Sequence, residues 1–126
     1  MTATTSNPTT LFARLGGDPA IKAVMQRFFE RILADPDLAP LFARTNIERH
    51  QRKTGAFVAA ATGGPEPWRG RDMAAAHRHL HLTNQQFDQV ATHLIETLEE
   101  LQVPGALADE LIAIVASLRD DIVHAG

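Results

Sequence analysis

MAAAHRHLHLTNQQFDQVATHL, residues 73–94, is the stretch on which the reading of the fold turns. Its second half opens a helix. Thr83 and Gln86 have the spacing of a capping box, and Leu82 and Phe87 that of the accompanying hydrophobic staple. Beyond the cap, Phe87, Val90, Ala91, Leu94, Ile95 and Leu98 recur at intervals of three and four, which predicts one apolar stripe. Its first half holds three histidines in five residues, His77, His79 and His81. His77 and His81 would share a face on a helix, and all three would face one way in an extended segment. That spacing suits a haem ligand, a zinc site or a partly exposed polar turn. No HExxH, cysteine partner or acidic cluster supports zinc.

The same periodicity extends outward in both directions. Leu11 to Leu15 reads as a short helix ended by Gly16-Gly17, and Asp18-Pro19 as the start signal of the next. Its stripe is Ile21, Val24, Met25, Phe28, Ile32 and Leu33. Asp35-Pro36 opens a brief turn through Leu41 and Phe42, and Asn46 caps a helix running to about Thr62. Residues 65–70 cannot be regular helix, and Met73 to Arg78 form at most a turn or so. After Pro104-Gly105 a last helix turns Leu107, Leu111, Ile114, Val115, Leu118 and Ile122 inward. The result is a small all-α domain.

With 126 residues the chain suits one domain, and 44% hydrophobic content is enough to fold it. A net charge of −3 offers no basic surface for nucleic acid or anionic lipid. The absence of cysteine excludes disulfides, thiolate metal sites and thioether-linked haem. No apolar run approaches a membrane span. Residues 1–10 lack the features of a signal peptide and read as a frayed leader to a single domain over 11–126, with a cytoplasmic location expected.

The helix after Asn46 adds a second clue. His50, Lys53, Thr54, Phe57 and Ala61 fall on one face. Burying His and Lys without partners is costly. Either a flat amphipathic ligand covers this face, with Phe57 against its plane and Lys53 at its acidic edge, or Lys53 snorkels and His50 is solvated.

The order and spacing of LFARLGGDPAI, FFERILADPDLAPLF, the pairs Gly16-Gly17 and Gly63-Gly64, GGPEPWRGRDM, the quoted histidine segment and Val103-Pro104 resemble the group I truncated haemoglobins. The resemblance runs from about Leu11 to Val123. It implies a two-over-two helical sandwich, two antiparallel helix pairs, around haem b. Position by position it implies His77 as the proximal iron ligand, Phe42 as the phenylalanine wedged against the ring and Lys53 beside a propionate. It implies Phe57 beside the ring and its ligand tunnel, with Trp68, Met73, Leu82, Phe87 and Val90 as further pocket wall. His79 and His81 have no role in it. His93 lies off the stripe and His124 in the tail, so both are expected to be solvated.

The departures fall on the distal side. The family usually has a tyrosine where Phe29 stands, and this chain has none. It often has glutamine at the position of Thr54, a larger residue at Gly55, and an apolar residue or glutamine at His50. Some relatives bond haem covalently through a histidine on the last helix, where this chain has Leu118. The distal pocket is therefore read as His50, Phe29 and Thr54, with His50 the foremost hydrogen-bond donor and Thr54 the second. The expected function is reversible binding of O2, CO or NO, with NO dioxygenase activity served by an external reductase as an extension. The alternative is a bis-histidine haem protein, with His50 as sixth ligand, for electron transfer or peroxidase-like chemistry. A helical metal-binding or interaction module without haem is the third reading.

Overall fold

The computed structural model describes residues 10–68 and 82–123, except the side chains of residues 121 and 122. His77, His79, His81, Met73, His124 and the turn expected at 73–78 lie outside the described residues. Among those described, all regular structure is helical: α1 (Leu11–Leu15), α2 (Gly17–Ala34), a 3-10 turn (Ala39–Phe42), α3 (Ile47–Ala61), α4 (Asn84–Glu100), α5 (Gly105–Ala116) and α6 (Arg119–Ile122). α2 packs against both α3 and α4, and α4 against α5, while α1 bridges α2 and α5. This is the two-over-two arrangement.

Local chemistry sets the boundaries. Thr10, assigned to the frayed leader in the sequence reading, is the N-cap of α1, and its hydroxyl accepts from the Ala13 amide at 3.1 Å. Gly16 ends α1 at φ 116°, a left-handed conformation open to glycine, and a Cβ there would stand 3.0 Å from the Ala20 Cβ. Asn46 caps α3 by accepting from the Arg49 amide at 3.0 Å. The Thr83–Gln86 capping box is present in both directions, at 3.0 Å each way, and the staple residues Leu82 and Phe87 are both buried.

The core joins Leu11 and Phe12 of α1, Ile21, Val24, Met25, Phe28, Phe29 and Ile32 of α2, Leu38 at the start of the 3-10 turn, Leu94 and Leu98 of α4, and Leu111 of α5. Two expectations about the helix stripes are corrected. Leu33 and Ile95 are each 39% exposed, while Thr97 is fully buried. At 100° per residue, Leu33 sits at the margin of the α2 stripe, and the buried face of α4 is rotated toward Val90 and Thr97, away from Ile95. Thr97 satisfies its hydroxyl by donating to the His93 carbonyl at 2.8 Å.

The last helix is not continuous. It breaks at Ser117-Leu118, where the Ser117 hydroxyl donates to the Ile114 carbonyl at 2.6 Å. The following turn is held to the start of α4 by Arg119, which donates to Asn84 and Asp88 and lies 4.6 Å from the Phe87 ring centroid.

His93, expected to be solvated, is corrected as well. It is largely buried, and its Nε2 is 2.8 Å from Asp35 Oδ2. Asp35 closes α2, and its other carboxylate oxygen accepts from the Asp37 amide at 2.9 Å. The polar stripe of α4 therefore fastens the end of α2, a long-range pairing that helical periodicity does not reveal.

Candidate functional site

Three elements bring aromatic rings together on one side of α3. Phe29 comes from the buried face of α2, Phe42 from the 3-10 turn and His50 from the beginning of α3. The Phe29 and His50 centroids are 5.4 Å apart with planes at 82°, and those of Phe42 and His50 5.5 Å apart at 48°. Phe29 and Phe42 are themselves 6.2 Å apart at 88°. Each pair lies in the range where non-parallel rings attract. Phe29 is only 3% exposed. It has no hydroxyl to offer, so His50 is the polar member of the cluster.

Two turns along α3, Phe57 meets Trp68 edge to face at 5.4 Å. His50, Thr54 and Phe57 share the face anticipated from their spacing, with Lys53 exposed at its border. The Thr54 hydroxyl donates to the His50 carbonyl at 2.9 Å. Its proton is thus committed to the helix, and what it presents outward is an acceptor lone pair.

Of the other residues expected at the pocket wall, Leu82 and Phe87 are buried and Val90 is half-buried against the core. One face of Phe87 is covered by the Arg119 guanidinium, a contact between distant elements that helical periodicity does not reveal. His77 and Met73 lie outside the described residues. Among the described residues, no group of three or more His, Cys, Asp or Glu side chains could hold a metal ion.

α3 carries Phe57, Val58 and several alanines, yet none of its fifteen residues is buried. Its apolar side is therefore only partly covered by protein. Two phenyl rings beside one imidazole, a phenyl–indole pair two turns further along α3 and an exposed ammonium at the border form a set suited to a flat apolar group that has a polar centre and an acidic edge. The residues present fit haem.

Gly55 lies on a different face of α3. A Cβ there would meet Met25 Cγ at 3.5 Å and Ile21 Cγ2 at 3.9 Å, ordinary contact distances. Gly55 thus marks close approach of α3 to α2. Beside it runs an open groove of about 410 Å³ lined by Ile21, Lys22, Met25, Arg52, Ala56 and Ala59 among others.

Three acids are perturbed among the described residues, Asp35, Glu100 and Glu110. The hydrogen bond from His93, with that from the Asp37 amide, holds the Asp35 carboxyl below the usual carboxylate range. Glu100 is lowered by Arg27 and then Arg31, and Glu110 by Arg14. These groups brace helices, and none belongs to the ring cluster.

Residues 10–124 match the family of bacterial-like globins. The group 1 truncated hemoglobin LI410 of Chlamydomonas moewusii is 41% identical, with 98% of this chain and 76% of that protein covered. The 2/2 hemoglobin of a Synechococcus species, solved in the cyanomet state with covalently attached heme, superposes with a TM-score of 0.88 at 33% identity, covering 91% of this chain and 98% of that one. The truncated hemoglobin of Tetrahymena pyriformis in its Fe(III) form gives a TM-score of 0.86 at 30% identity, with the same coverage.

Proposed function

Because the chain belongs to the group 1 truncated haemoglobins, we propose that it binds haem b through His77 and reversibly takes up a diatomic gas, with His50 as the residue that discriminates among gases. The observation that carries this reading is the aromatic cluster of Phe29, Phe42 and His50, in which an imidazole is the sole polar ring.

Haem, when bound, would supply an iron able to take up O2, CO or NO, of which O2 would be the more polar hydrogen-bond acceptor. The protein's contribution is to anchor, enclose and orient. Phe42, Phe57, Trp68, Met73, Leu82, Phe87 and Val90 would supply the apolar wall, and Lys53 would pair with a propionate. A hydrogen bond to a charged acceptor contributes about 1.5–3 kcal/mol, against about 0.5–1.5 for a neutral one. A donor at His50 therefore favours O2 over CO. Phe29 cannot donate, and the Thr54 proton is already used within the helix.

NO dioxygenase activity is the enzymatic extension of this reading. NO, O2 and one electron give nitrate, and the electron must come from a reductase outside this domain. A cytoplasmic location accords with the cysteine-free composition.

Stopped-flow release of O2 and CO from the haem-loaded protein and from His50→Leu tests the proposal. O2 release is expected to accelerate by roughly two-fold to a hundred-fold, the span of one hydrogen bond of about 0.5–3 kcal/mol, with CO release changed much less. A low-spin ferrous spectrum without added gas, lost in His50→Leu together with faster binding of both gases, would instead establish the bis-histidine reading. Protein purified without a Soret band, and unable to acquire one from added haem, would sink both.

A further inference from the structure

We infer that Phe29 and Phe42 meet in a two-ring corner that clamps one side of the His50 imidazole and fixes its plane, which makes both phenylalanines positioning residues; this rests on the reading of His50 as the distal donor. The final torsion of a histidine side chain is broad and roughly two-fold, so the chain itself sets the ring plane only weakly. Hydrogen bonds weaken steeply away from linearity. A donor on an unconstrained imidazole would spend much of its time misaligned.

Here the constraint comes from two directions. Phe29 meets the His50 ring at 82° and Phe42 meets it at 48°, with both centroids within 5.5 Å. The two phenyl rings also meet each other at 88°, which closes the triangle. Phe29 is backed by Phe28, 5.3 Å away at 63°, and both are buried in the core of α2. Phe42 is placed by the turn that begins at Asp35, whose carbonyl accepts from the Leu38 and Ala39 amides. The clamp is thus anchored on one side by the packed core and on the other by a hydrogen-bonded turn. A residue with no hydrogen-bonding group thereby determines where the hydrogen-bonding group of another points.

The test is a coupling measurement on haem-loaded protein, with Phe29→Leu, Phe42→Leu, His50→Leu and the double variant Phe29→Leu/His50→Leu. One ring–ring contact corresponds to a roughly two-fold to ten-fold effect. Phe29→Leu and Phe42→Leu should therefore raise the ratio of O2 to CO release rates by about that factor, beyond any change that the altered pocket makes to both gases alike. In the His50→Leu background the Phe29 effect should disappear. An unchanged Phe29 effect in that background would overturn the clamp, since Phe29 would then act without His50. Ring dynamics of His50 by NMR in the diamagnetic ferrous CO form give an independent readout. The clamp predicts lower ring order in Phe29→Leu, and equal order would overturn it. If His50→Leu alone leaves O2 release unchanged, the donor reading fails, and the NMR comparison still decides the clamp. Phe29→Met, which removes the ring with less loss of volume, replaces Phe29→Leu should the latter fail to fold.

Discussion

At the scale of single residues, the side chains of the proposed site differ in what their removal should do. His77→Ala is expected to weaken haem retention, with free imidazole restoring part of the ferrous spectrum. A parental spectrum in His77→Ala combined with its loss in His81→Ala would move the ligand to the neighbouring histidine. Thr54→Val deletes a hydroxyl whose proton goes to the His50 carbonyl. It should change O2 release far less than His50→Leu, as stopped-flow comparison of the two variants would show. Lys53 is exposed, and an exposed ion pair contributes only about 0–1 kcal/mol. Lys53→Ala should therefore raise the rate of haem loss modestly without altering the spin state. The proposed roles of Phe42 and His50 start from the sequence, Phe42 from its match to the family pattern and His50, a departure from that pattern, from the face it shares with Lys53, Thr54 and Phe57. The ring cluster was not, since it joins residues 29, 42 and 50 from three elements. Nor was the commitment of the Thr54 proton, which depends on one side-chain torsion.

At the scale of helices, two substitutions have opposite signs. Gly55 sits within α3 with room for a methyl group against Met25 and Ile21. Glycine in a helix interior is about 1 kcal/mol worse than alanine. Gly55→Ala should raise stability by up to that amount in urea unfolding; destabilisation would show that the α2–α3 contact is tighter than 3.5 Å implies. Asp35 joins the end of α2 to His93 of α4. Its folded carboxyl titrates below the unfolded value, so the stabilisation is present above about pH 4, the ordinary carboxylate value, and is lost as pH falls through the lower folded value. Asp35→Asn should destabilise the protein at neutral pH, and the gap from the parent should narrow on acidification. A gap constant from pH 7 to pH 3 would mean that the carboxylate charge is irrelevant to the brace. Caps and stripes were legible here because they are local. The His93 pairing and the rotation that exposes Ile95 were not, because they depend on which neighbour each helix meets.

At the scale of the whole molecule, charged side chains span the seams between helices. Arg27 and Arg31 of α2 meet Glu96 and Glu100 of α4, while Arg14 of α1 forms a two-point contact with Glu110 of α5 at 2.8 and 3.0 Å. All are at least partly exposed, so each contributes little and salt screens it. Cofactor binding is the larger lever. An α3 without a buried residue implies that the empty protein leaves apolar surface in water. A ligand at a thousand times its dissociation constant adds about 4 kcal/mol. Haem-loaded protein should therefore melt well above the empty form, and equal melting temperatures would count against a tightly held native cofactor.

The Phe57–Trp68 contact has an optical consequence. The chain contains one tryptophan and no tyrosine, so its near-ultraviolet emission comes from a single indole that stands 5.4 Å from Phe57 at the proposed pocket wall. Haem is an efficient acceptor of excitation energy from a nearby indole. As the pocket fills, emission should fall in proportion and break sharply at one equivalent. Recovery of the signal on haem transfer to a competing acceptor would time the reverse process from the same fluorophore, without a label.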